Sequence, residues 1–218
     1  MTVVANAEAL LRARDPDDLV VSTKNSHLLL LLIVACFAYG AIMGSYGLRP
    51  LQMLYSGLKV PILLTASSLI CLPSFFLINT LLGLRDDFPK VLRGLISTQL
   101  TVAIVLASLA PFTALLYVSS SQYRLAIVFN GGMFFIASLA SQIQLNRVYR
   151  VLILANPRHR VSKHVWLVLY VFVTIQLAWM LRPFVGAVGL PTTFFREGVW
   201  DNAYVVVARY VMLALGGG

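Results

Sequence analysis

VPILLTASSLICLPSFFLINTLLGL, residues 60–84, holds no Asp, Glu, Lys, Arg or His. A helix of about 20 apolar residues crosses roughly 30 Å of hydrocarbon, and this run exceeds that length. A core helix of a water-soluble domain keeps a wet face, so a charge should interrupt it every turn or two. None does. The stretch GLISTQLTVAIVLASLAPFTALLYV, residues 94–118, is equally free of charge. Two such runs in one chain point to an α-helical membrane protein.

The composition agrees. Hydrophobic residues make up 59 % of the 218 and charged residues 11 %, with a mean hydropathy of +0.85. A soluble domain carries roughly 25 % charged residues to hold water over its surface. The net charge of +9 could suggest nucleic acid, but Lys and Arg sit between the apolar runs as flanks of membrane helices. No nucleic-acid partner is expected; the expected solvent is a lipid bilayer.

Outward from these two runs, the expected architecture is an all-α bundle of about five transmembrane helices. The spans fall at 28–48, 60–84, 94–118, 123–145 and 165–181, within a membrane domain of residues 27–186. A polar lead of residues 1–26 precedes it. Glu8, Asp15, Asp17 and Asp18 make that lead unlike a cleaved secretory signal, which opens on a basic stretch. Residues 51–59 read as a short connector, with Tyr55 and Lys59 at the interface. Pro73 and Pro111 fall inside spans and predict kinks. Beyond Arg182-Pro183, residues 187–218 read as a loop and a short interfacial or docked helix over 203–215, too short to span and carrying Arg209. Eleven of the seventeen Lys and Arg residues fall on the side of the N-terminus. The excess of positive charge on cytoplasmic loops then places the N-terminus in the cytoplasm and the C-terminus outside.

Residues fit for chemistry are sparse. All eight acidic residues lie outside the spans, whereas ion-coupled carriers and intramembrane acid proteases use ionisable groups at depth. His27, His159 and His164 are scattered, and Cys36 and Cys71 sit in apolar runs, so no metal, no cofactor and no catalytic residue is expected. Gly40 and Gly44 stand four apart on one helix face, a spacing that lets a second backbone approach closely. Ala103 with Ala107 and Ala137 with Ser141 repeat it. Such faces serve packing inside the bundle or self-association. Asn79 and Asn130 place amides in the membrane, where each needs a hydrogen-bond partner. Gln176, Trp179 and Pro183 share a helical face, and Trp179 with Arg182 and Arg196 suits contact with lipid headgroups or a partner.

The stretch Thr174-Ile-Gln-Leu-Ala-Trp-Met-Leu-Arg-Pro-Phe-Val-Gly186, followed by Phe194-Phe195-Arg196, resembles a group of uncharacterised bacterial membrane proteins. Lys59-Val-Pro61 and Cys71-Leu-Pro-Ser74 resemble the same group. In layout the chain is also similar to the Yip family, five-span membrane proteins that interact with trafficking GTPases. Neither resemblance implies an active site; the first implies a bacterial inner membrane. The expected function is a non-enzymatic membrane protein that organises or supports a larger assembly. One alternative is a transporter or channel component with a polar path near Asn79, Asn130 and Gln176. Another is a lipid-acting enzyme using Arg182, Arg196, Glu197 and Asp201.

Overall fold

Proline and glycine, more than charge, fix where the helices begin and end. In the computed structural model, which describes residues 25–187, 189, 191–195 and 204–205, five helices follow one another. They are α1 (Asn25–Gly44), α2 (Pro50–Leu81), α3 (Phe88–Ser119), α4 (Tyr123–Ala155) and α5 (His159–Met180). Among the described residues there is no strand. The short helix expected over 203–215, and Arg196 and Arg209 with it, lies outside the described residues apart from Tyr204 and Val205.

The four helices α2 to α5 are long and apolar enough to cross a membrane, and α1 contributes a shorter apolar stretch, Leu28–Gly44. The chain is thus an integral membrane protein by helix length and composition. At 1.5 Å per residue, the 32 residues of α2 extend about 48 Å, more than the hydrocarbon requires.

Two boundaries differ from the reading of the sequence. The helix α1 ends at Gly44, because Gly47 (φ 74°) and Leu48 (φ 51°) turn the chain through the left-handed region. Next, α2 starts at Pro50, so residues 51–59 are helix and not connector. A proline in the first turn loses no helical hydrogen bond, since its missing N–H has no partner there. Pro61 and Pro73 lie inside α2, and Pro111 inside α3, without ending either helix.

The helices form an incomplete ring. Helix α1 packs between α2 and α3, α4 packs on α3, and α5 packs on α2. The seam between α4 and α5 is thin, and α2 meets α3 still more sparsely. Two apolar cores stack along the axis. The distal core gathers Cys36, Tyr39 and Met43 of α1 with Val60, Leu100, Ala103, Ala126 and Ala137. The proximal core gathers Cys71 and Phe75 with Val91, Leu145, Tyr149 and Trp166. Here "distal" is the end with the α1–α2 and α3–α4 turns, and "proximal" the end with the α2–α3 and α4–α5 turns.

Gly40 and Gly44 bring α1 directly onto α2. A Cβ on Gly44 would lie 2.6 Å from the Gln52 carbonyl oxygen, and one on Gly40 would overlap the Ser56 carbonyl. That face is therefore occupied by the chain's own second helix. Ala103, Ala137 and Ser141 are likewise buried.

Candidate functional site: a strap across the distal end

Arg49, Gln52, Ser56 and Lys59 are spaced three, four and three apart, which puts them on one face of the first turns of α2. Gln52, Ser56 and Lys59 are fully buried. The face meets the irregular segment 182–187 that leaves α5. That segment follows a cis Arg182–Pro183 bond and is not helical, so its carbonyls need donors from elsewhere.

Side chains supply them one by one. Lys59 Nζ donates to the Pro183 carbonyl at 2.6 Å. Gln52 Nε2 donates to the Phe184 carbonyl at 3.0 Å, and Ser56 Oγ donates to that same oxygen. Tyr123 of α4 reaches the Val185 carbonyl at 3.3 Å. Arg49 donates to the Ala187 carbonyl at 3.0 Å and also to Thr192 Oγ1. The strap 183–187 is thereby tied to α2 and to α4 together. Gly186 is required here, because a Cβ would sit 2.9 Å from Gln52 Cγ.

Lys59 is the only buried ammonium among the described residues. Besides the Pro183 carbonyl, its Nζ lies 5.0 Å from the Phe194 ring centroid and 6.0 Å from that of Phe184. Aromatic faces attract a cation where water is excluded. Tyr55 braces Phe194 edge-on at 5.2 Å.

Below the strap, α4 and α5 diverge. They are joined at the proximal end, where Lys163 donates to Asn146 at 3.1 Å and the Tyr149 and Ser162 hydroxyls meet at 3.5 Å. Toward the distal end a cleft of about 910 Å³ opens between them. Ile127, Gly131, Phe134 and Ile175 line its apolar walls, Met43 and Leu63 its floor, and Gln52, Asn130, Thr174 and Arg182 supply its polar groups. The volume lies within the range of small-molecule sites.

The predicted residues distribute as follows. Trp179 and Arg182 do come together: the guanidinium carbon stacks 3.2 Å from the indole centroid, and Nε donates to the Trp179 carbonyl at 3.2 Å. Gln176 is half-buried on the same helix. Asn130 is buried in the distal core. It accepts from the Tyr39 hydroxyl at 2.9 Å and donates to the Tyr117 oxygen at 2.7 Å, while Tyr117 donates to the Met43 carbonyl at 2.9 Å. Three helices meet at that one amide.

Asn79 sits at the other end of the bundle, accepting from Ser162 Oγ at 2.8 Å and donating to the Phe75 carbonyl at 2.8 Å. Nearby, the buried His159 donates through Nε2 to Asp87 at 3.2 Å, and Lys90 donates to the other Asp87 oxygen at 3.1 Å. The hydrogen bond from Lys90, then that from His159, holds the Asp87 carboxyl below the usual range. Among the described residues no three His, Cys, Asp or Glu side chains come together as a metal-binding group.

No family model, curated protein or solved structure matches the chain. The site is therefore interpreted from its own geometry.

The strap's partner face was missed at the level of sequence. Residues 51–59 read as a connector with Tyr55 and Lys59 at the interface, and Gln52 carried no assignment. The available signal was Pro50 at a helix start followed by polar residues at helical spacing. Nothing local revealed that residues more than a hundred positions later would cover them.

Proposed function

We propose that this chain is a non-enzymatic integral membrane protein that organises or supports a larger membrane assembly. The carrying observation is that its intramembrane amides act as ties between its own helices. Asn130 binds Tyr39 and Tyr117, Asn79 binds Ser162, Gln144 donates to Ser97 at 3.2 Å, and Tyr170 donates to Gln99 at 3.0 Å. Such bonds contribute about 0.6–1.7 kcal/mol each in a membrane and fix how the helices sit. A frame held this way keeps α4 and α5 in place while their outer sides remain apolar, with Val128, Phe135, Leu139, Val168 and Phe172 all exposed.

In this reading the protein resides in a bacterial inner membrane. The excess of Lys and Arg on the proximal side puts the N-terminus and the proximal turns in the cytoplasm. The partner surface is the outer side of α4 and α5, since the Gly40–Gly44 face is covered by α2.

A second reading is a transporter or channel component, favoured by the cleft beside Asn130. Against a path through all three amides stands their spacing. Asn79 is tied to Ser162 and to the Phe75 carbonyl at the proximal end, whereas Asn130 is tied to Tyr39 and Tyr117 in the distal core.

Extraction in mild detergent, with sizing by light scattering and crosslinking before lysis, tests the first reading. The expected result is a species larger than one chain. A lone monomer in every detergent, with no crosslinked partner, overturns it.

A further inference from the structure

Val161, Val165, Val168 and Phe172 of α5 are spaced four, three and four apart and share one face of the helix. Val161, Val168 and Phe172 are exposed, and Val165 is half-buried at the edge of the proximal core. One contact shows what comes to this apolar stripe. The ring of Tyr204 stacks on Phe172, with centroids 4.7 Å apart and planes 4° from parallel, and its hydroxyl donates to the Phe172 carbonyl at 2.8 Å. Val205, the next residue, is exposed.

The contact is deep. Phe172 lies eight residues before the last residue of α5, Met180, about 12 Å of helix inward from the distal end. A phenol hydroxyl at that depth needs an acceptor, and a helical carbonyl has a second lone pair to offer. At Phe194, ten residues earlier, the chain is still at the distal end beside Tyr55. By Tyr204 it has turned inward along α5. From there Tyr204, Ala208, Val211 and Leu215 repeat the spacing of four, three and four. The eleven residue steps from 204 to 215 cover about 17 Å as helix, the same length as α5 from Phe172 back to Val161.

We propose that the valine stripe of α5 is the docking face of the chain's own residues 204–215, which run antiparallel to α5 as a further membrane helix and reach the proximal side. Beyond Val205 these residues lie outside the described ones. Starting from the observed pair of Tyr204 with Phe172, Ala208 meets Val168, Val211 meets Val165 and Leu215 meets Val161. Small and β-branched residues on both stripes let the two backbones approach closely. A segment too short to span from the surface suffices here, because its first residue already lies at depth. Arg209 falls off the stripe, level with Leu167 and about 6 Å of helix from Lys163, and its long side chain snorkels to the proximal headgroups. Leu215 is thereby delivered to the side on which α1 begins at Asn25. The inference stands whether or not the protein joins an assembly; in an assembly, the segment leaves the outer side of α4 to the partner.

Cysteine pairs in native membranes provide the test, since a disulfide forms only where the two Cα atoms stand within about 7 Å. Val168→Cys with Ala208→Cys is the matching pair, Val161→Cys with Leu215→Cys a second one, and Ile143→Cys on the outer side of α4 with Ala208→Cys the mismatched control. Val161, Val168 and Ile143 are all exposed, so their replacement leaves the cores intact, and the native Cys36 and Cys71 are buried away from the reagent. After mild oxidation, linked peptides are read by mass spectrometry from the monomer band. Both matching pairs are expected to close and the control to stay open. Sidedness is read separately with a membrane-impermeant maleimide on sealed vesicles of each orientation. Gly217→Cys is expected to label in the vesicles that label Arg160→Cys at the proximal end, and not in those that label Gln122→Cys at the distal turn. Failure of both matching pairs overturns the proposal. So does closure of the control in their place, or labelling of Gly217→Cys together with Gln122→Cys.

Discussion

Replacing Gly44 with alanine tests how the first two helices are locked together and how that lock reaches the strap. The new methyl would start 2.6 Å from the Gln52 carbonyl oxygen and 2.8 Å from Ser56 Cβ and Oγ, where ordinary contact begins at 3.4 Å. Backbone and Cβ atoms cannot swing aside as the end of a flexible side chain can. Helix α1 must therefore back away from α2 by the difference between 2.6 and 3.4 Å. A gap of about 0.5–1 Å forfeits a quarter to a half of each dispersion contact along the interface. Overpacking of this kind costs about 1–3 kcal/mol. Alanine returns about 1 kcal/mol as a better helix former than glycine. The net expectation is a loss of up to about 2 kcal/mol. At about 2–4 °C per kcal/mol for a chain of this size, the midpoint should fall by up to about 8 °C. Gly131→Ala is the control, with open space around its new methyl. It keeps only the helix-propensity gain and should rise by about 2–4 °C. Thermal unfolding in one detergent, followed by loss of the monodisperse peak, reads both. Two midpoints shifting in the same direction would refute the reasoning, because the sign difference rests solely on what each methyl meets.

Tyr39→Phe removes the donor to Asn130 Oδ1 and leaves that oxygen buried at the junction of α1, α3 and α4. A loss of about 1–2 kcal/mol is expected in the same assay, and Tyr39→Phe in an Asn130→Leu background should cost less. At the proximal end, Asp87 has its carboxyl held below the usual value near 3.9 by Lys90 and His159. A depressed folded value means that the contribution is present above the unfolded pKa and is lost as pH falls through the folded one. Midpoints measured from about pH 7 down to about pH 3 should drop at the acidic end, and Asp87→Asn should flatten that drop.

The long runs without charge were legible because the bilayer penalises an ionised side chain at every depth of a span. Hence the central parts of α2 and α3 needed no tertiary information. The amphipathic ends were not legible. Lys59 reads as the edge of a membrane helix until a carbonyl 124 residues later in the chain is seen to meet it. Gly40 and Gly44 announced a close backbone contact, but spacing alone cannot say whether the second backbone is another chain or the next helix. Asn130 announced a hydrogen-bonded amide. Its partners, Tyr39 and Tyr117, are ordinary aromatic residues in apolar runs, and only the ring of helices brings them to one point. Trp179 and Arg182, three apart at the end of α5, were legible as neighbours but not as a stacked pair.

The six residues from Arg182 to Ala187 act as a spacer. At the proximal end α5 is fixed by Ser162 and His159, and at the distal end its position follows from where this short length of chain is fastened to α2 and α4. The width of the gap between the last two helices is thus set by the reach of the backbone that bridges them, about 3.5 Å for each residue. Lengthening or shortening that bridge by one residue would retune the gap without touching either wall.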